Sequence, residues 1–223
     1  MAQLSLESGH DKRFLPLFMA MVLAVAVIAL DLVQVGFTPA LTREGGGIET
    51  ATAVLYLFCA ITFVRLAGPV IARGTWEIPV LFLFMAGREL DFDKRFTSVG
   101  ILKSRMYLSN DAPLFERLIA VAIIAVLAYA LYRLVRAHGK SFINGLRSFA
   151  ASQWLIACGI ALMVGSKAID GLGRKLLPLG IELEDGTNAN LGMIEETAEL
   201  GIPLLFIAGM CLAVRMFSSG QPE

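Results

Sequence analysis

IEETAELGIPLLFIAGMCLAVRMF, running from Ile194 to Phe217, is the stretch that decides the fold. From Leu200 to Val214 it holds no charged residue, and with its flanks it exceeds the roughly 20 residues a helix needs to cross about 30 Å of hydrocarbon. Its first half brings Glu195, Glu196 and Glu199 to one edge of that apolar run. The segment reads as a spanning helix that carries carboxylates toward the membrane.

Working outward, four more stretches meet the same length and composition, at about 14–36, 48–66, 114–135 and 149–169. A sixth, at about 76–90, is short but well signalled. Thr75 stands where an N-cap is expected, Glu77 falls in the first turn, and Pro79 sits where a missing N–H costs little. The expected fold is all-α: a polytopic membrane helix bundle of six transmembrane helices, the third short, forming a single membrane domain over 1–223. Composition agrees, since 57% of residues are hydrophobic and 17% charged, with a mean hydropathy of +0.70. That is too apolar for a chain whose whole surface meets water.

Nine Lys and Arg fall in the segments that would share a side with the termini, Arg73, Arg133, Arg136, Lys140 and Arg147 among them, and the other ten of the 19 fall opposite. The counts tie. The first group has almost no acids to offset it, which favours both termini in the cytoplasm of a bacterial-type inner (plasma) membrane. The run after Lys12 and Arg13 reads as a spanning helix rather than a cleaved signal at Thr38-Pro39-Ala40, because it is long for a signal core and contains Asp31. Ser141 to Ala150 reads as an interfacial helix or as an ordinary loop. Ala157, Ala161 and Gly165 recur every four residues, as at a close helix contact.

The acids point to function, because nearly all fall on the side opposite the termini. Glu195 and Glu199, like Glu196 and Glu199, share a helix face, and Pro203 removes the N–H that would bond the Glu199 carbonyl. Glu195, Glu196 and Glu49 are expected in first helical turns, where the macrodipole favours acids with no function at all. Asp31 has no such account, since an anion near the C-terminal end of its helix opposes the dipole. Arg88 and Glu89 end the short third span, followed by Lys94 and Arg95, and Lys167 and Asp170 stand three apart on the fifth span. A charge inside hydrocarbon costs ~2.5–3.5 kcal/mol on insertion scales, so such groups face inward or pair.

The candidate ligand- or metal-binding residues are therefore Asp31, Glu49, Glu89, Asp170, Glu195, Glu196 and Glu199, with Glu199, Glu195 and Glu49 as the metal set. Arg88, Lys94, Arg95 and Lys167 are the counter-charge or phosphate-binding set, and Lys103, Arg105, Arg174 and Lys175 extend it. The deepest members are Asp31, Glu89, Asp170 and Glu199, balanced by Arg88 and Lys167. Oxygen-only ligands suit Mg²⁺, Mn²⁺ or Ca²⁺. His10 and His138 lie on the far side, which argues against di-iron and catalytic zinc sites. Cys59, Cys158 and Cys211 lie in apolar runs, and the chain has no haem-attachment spacing and no nucleotide or G-x-S-x-G signature. Zero net charge gives no field for nucleic acid.

The expected function is a one-sided, outward-facing carboxylate pocket that binds a divalent cation or a polar lipid head group, with membrane lipids as partners and the question of catalysis open. An ion- or proton-coupled transporter component and a structural assembly protein are the alternatives. Transport requires charges in both halves of the membrane, and the inner half reads as bare.

Overall fold

The structure is a computed structural model describing residues 14–36, 46–101, 103–108, 112–180 and 182–218, and the side chains of 35, 93, 94, 185 and 214–218 lie outside what it describes. Thr38 to Ala40 also fall outside the described residues. The described residues form helices and turns with no strand: α1 (Leu15–Val35), α2 (Gly47–Gly74), α3 (Glu77–Glu89), α4 (Phe92–Phe96), α5 (Arg105–Leu108), α6 (Leu114–Arg147), α7 (Ala151–Ile169), α8 (Leu172–Leu176), a 3-10 turn at Leu177–Leu179, and α9 (Asp185–Ser218). Five of them, α1, α2, α6, α7 and α9, are long and apolar enough to cross a membrane.

Helix α3 is not among the five. Its 13 residues rise only about 20 Å at 1.5 Å per residue, short of the roughly 30 Å of hydrocarbon. It packs along α2 and against α6, and its Phe82 ring meets Phe206 of α9 at 5.7 Å. Thr75 does not cap it. The Thr75 hydroxyl donates backward to the Ile71 carbonyl, 2.8 Å away, closing α2 instead. That second helix breaks close to the expected end at 66, at Gly68, with φ 74°, and Pro69, and a second helical piece then carries it to Gly74. Proline lacks the N–H that would continue the ladder, and glycine takes the positive φ without strain.

Two other expectations change. Helix α6 is continuous for 34 residues to Arg147, so 141–147 is neither a separate interfacial helix nor a loop. The chain then turns at Phe149, with φ 54°. Helix α9 begins at Asp185, about nine residues before the expected start, because the polar stretch 185–193 continues the helix outward.

Small residues fill many of the helix contacts, around a buried cluster that also holds Leu55, Tyr56, Ile202, Phe206 and Ile207. Ala20, Ala24, Ala51, Ala53, Ala60, Ala86, Ala120 and Ala130 are buried, whereas Phe18, Val25, Val33, Leu118, Ile119 and Val135 are exposed. In lipid the large apolar side chains need no burial, and small ones let backbones approach. The tight α7–α9 contact does not run along Ala157, Ala161 and Gly165 as a stripe: Ala157 is half-buried, Ala161 is exposed, and a Cβ on Gly165 would meet nothing. The buried face is Ser152, Gly159 and Ser166, spaced by two turns. A Cβ on Gly159 would lie 2.8 Å from the Phe206 ring, and one on Gly209 would lie 2.9 Å from Ile156.

Gly159→Leu should therefore force α7 and α9 apart and cost about 1–3 kcal/mol by overpacking, read as a lower unfolding temperature of the detergent-purified protein. Gly165→Ala should leave that temperature unchanged or raise it.

Candidate functional site

Glu199, nearly four turns into α9, is the centre of the site. Its Oε1 accepts from Lys167 Nζ of α7 at 2.9 Å and from Arg88 Nη2 of α3 at 3.2 Å. The same guanidinium nitrogen reaches Glu89 Oε1 at 2.9 Å, and Glu89 is only 5% exposed. Lys167 also donates to Asp170 Oδ2 at 3.2 Å and to Glu195 Oε1 at 3.4 Å, while Lys175 Nζ donates to the Lys167 carbonyl at 3.1 Å. Helices α3, α7 and α9 are thus joined by one charge network near the end that the sequence singled out.

Local structure explains why these groups meet. Helix α3 ends at Glu89, and the chain reverses through Leu90 and Asp91, the latter at φ 51°, a conformation that Asp tolerates better than most residues. Helix α7 ends at Asp170 and Gly171, with Gly171 left-handed at φ 59°. Glu195 and Glu196 lie nearly three turns inside α9 rather than in its first turn. The dipole account offered for them fails, because that effect fades within one turn. Glu196 feels the charges of Glu49, Glu199, Glu195 and Glu89, and its Oε2 is buried with no hydrogen-bond partner. Six carboxylates therefore gather around Arg88 and Lys167, with Lys175 and Arg174 at the edge of the region.

Asp31 stands apart from the network. Its Oδ2 accepts the backbone N–H of Gly47 at 3.1 Å, capping the first residue of α2, whose own N-cap Gly46 offers no side chain. The anion opposes the dipole of its own helix but faces the positive end of the next. Only glycine fits at 47, since a Cβ there would lie 2.6 Å from that of Asp31. Arg95 is exposed on α4 and does not join the network, and the side chain of Lys94 lies outside the described residues.

The metal reading finds no support. Among the described residues no group of three or more His, Cys, Asp or Glu is arranged to hold a metal ion. The physical reason is that the Glu199 carboxylate is held by a lysine and an arginine, and Glu195 is hydrogen-bonded to the same lysine. Beside this network lies a cavity of about 240 Å³, lined by Ile169, Leu172, Arg174, Asn188, Leu191 and Glu195 among others.

Two features escaped the sequence reading. Tyr56 is 1% exposed and sits within electrostatic reach of Glu89, Arg88 and Glu199. The spacing Glu49, Thr52, Tyr56, Cys59 along one face of α2 was its available signal. At the other end of α3, Glu77 is 0% exposed, with Arg133 Nε at 3.5 Å and His138 Nε2 at 3.8 Å. The half of the bundle expected to be bare of charge therefore holds a buried carboxylate.

No protein-family model, curated protein or solved structure matches this chain.

Glu199→Gln should remove the anion shared by Arg88 and Lys167 and lower stability by about 2 kcal/mol, discounted from a fully buried pair because Lys167 is partly exposed. Asp31→Ala should cost about 1 kcal/mol, as for a lost helix cap. Chemical or thermal unfolding in detergent measures both.

Proposed function

We propose that the outer end of the bundle is a one-sided binding site for an amine-bearing polar lipid head group, seated in the cavity between α7, α8 and α9. The observation that supports this most is the pairing in that cavity's wall. Glu195 and Arg174 face it together, beside the apolar Ile169, Leu172 and Leu191. A zwitterionic head group presents an ammonium that matches the carboxylate and a phosphate that matches the guanidinium. The surplus of carboxylates behind Glu195, with the Glu196 oxygen unpartnered, favours the ammonium on that side. Binding is favoured over general-base chemistry because Glu195 and Glu199 already accept hydrogen bonds from Lys167, which occupies the oxygens a general base would use.

The same reading places the chain in a bacterial-type inner membrane as one domain with six crossings and both termini cytoplasmic. It counts α3 as the short crossing, since its Glu77 end meets Arg133 and its Arg88 end meets Glu199. Reporter fusions at the two termini test this, and activity of either reporter on the outer side rejects it.

An ion- or proton-coupled transporter component is the second reading, favoured by Glu77 in the opposite half. Against it stands the burial of Leu55, Ile202, Phe206 and Ile207 in one apolar cluster.

Phosphatidylethanolamine at about 100 times its dissociation constant should raise the unfolding temperature of the purified protein by roughly 5 °C, and Glu195→Gln and Arg174→Gln should each abolish most of the shift. No shift in the wild type, or an equal shift in both variants, rejects the site. A shift with Mg²⁺, Mn²⁺ or Ca²⁺ alone would favour the cation instead.

A further inference from the structure

At the end of the bundle away from Glu199, Arg133 and Arg136 stand three residues apart on the same face of α6. Each is held in place. The Arg133 guanidinium donates through Nη2 to the Gly74 carbonyl at 2.9 Å, faces the buried Glu77 through Nε at 3.5 Å, and lies over the Trp76 ring at 5.7 Å. Arg136 donates through Nη1 to the Tyr132 hydroxyl at 2.9 Å and lies over the same ring at 5.9 Å. Stacking on aromatic rings fixes a guanidinium plane and leaves its outer N–H groups to find other acceptors.

Those groups border an open groove of about 440 Å³ lined by Tyr129, Tyr132, Arg133, Arg136 and Ala137, with no acid in its wall. Glu77 lies behind Arg133 and is fully buried, with neither oxygen hydrogen-bonded. Its charge fixes Arg133 rather than competing for what enters the groove. The groove begins 15 residues into α6, about 22 Å along the axis at 1.5 Å per residue and about 35 Å at its far end. That is the depth at which a helix starting at the opposite surface leaves a hydrocarbon core of roughly 30 Å. Trp76, Tyr129 and Tyr132, with Trp76 and Tyr129 in ring contact at 6.1 Å, supply the aromatic residues favoured at a membrane–water boundary.

From this juxtaposition we infer that the groove on α6 is a binding site for an anionic phospholipid, with the phosphate between Arg133 and Arg136 and the glycerol and upper acyl chain along Tyr129 and Tyr132. Charge complementarity selects the occupant: two oriented guanidinium groups match phosphate oxygens, and the tyrosine rings match the apolar part of the same molecule. A free phosphate would use the arginines but gain nothing from the rings. The site is independent of the one proposed at the outer end and uses none of its residues.

Native mass spectrometry of the full-length protein released from detergent tests the inference, with phosphatidylglycerol, phosphatidylcholine and inorganic phosphate as probes. The wild type should retain phosphatidylglycerol in preference to phosphatidylcholine, and Arg136→Gln should weaken that retention about tenfold, as expected for losing a charge-assisted hydrogen bond. Arg136 is the deciding position, since Arg133→Gln would also strip the buried Glu77 of its cation. Equal retention of the two lipids, or unchanged retention in Arg136→Gln, overturns the site. Displacement of the lipid by inorganic phosphate at equal concentration overturns the lipid and leaves a plain anion site.

Discussion

One carboxylate holds the acid-rich half of this bundle in register. Glu199 on α9 accepts from Lys167 on α7 and from Arg88 on α3, so three helices remote in sequence meet at a single oxygen. Hydrocarbon cannot hydrate a charge, and each of these groups alone would carry a penalty that the shared contact offsets. The contact also fixes what surrounds it. With Lys167 drawn toward Glu199, Glu195 and Asp170 fall within its reach, and the cavity bounded by Glu195 and Arg174 opens beside them. Acids outnumber cations there even with Lys175 and Arg174 at its edge.

The short helix α3 carries charge at both ends. Glu77 is its first residue and Glu89 its last, about 18 Å apart along the axis. Each end is tied to a different helix, the first to Arg133 of α6 and the second, through Arg88, to Glu199 of α9. Between them the helix is apolar, and its Phe82 packs on Phe206. A helix too short to reach both surfaces can end inside the bundle because its terminal charges are met there by other side chains. The kink at Gly68 and Pro69 in α2, just before α3, supplies the change of direction that brings Glu77 under Arg133.

Burial in this protein departs from the pattern in water. Alanine and glycine lie at many helix contacts, beside the buried Leu55, Ile202 and Ile207, while the large aliphatic side chains of α1 and α6 face outward. Close approach then depends on single positions such as Gly159 against Phe206 and Gly47 against Asp31. A stripe of small residues in the sequence does not say which of them is the contact, because Ala161 is as small as Gly159 and yet lies on the exposed face.

What the sequence by itself determined was the class of fold and the end of the molecule that collects acid. Length and hydropathy mark each spanning helix locally, and an ionisable residue in an apolar run is visible without knowing its neighbours. Arg88, Glu89, Lys167, Asp170 and Glu199 could thus be picked out as groups in need of partners. Which partner each found was decided only by the tertiary structure. Asp31 looked like a member of the pocket and instead caps α2, because the packing of α1 along α2 sets it against Gly47. Glu195 and Glu196 looked like first-turn acids, since the start of α9 lies in a polar stretch that periodicity does not mark. Glu77 looked like an ordinary helix-start acid, and its burial depends on α6 lying across the start of α3. Pairing between helices is a property of their relative placement, and no local pattern in this chain encodes it.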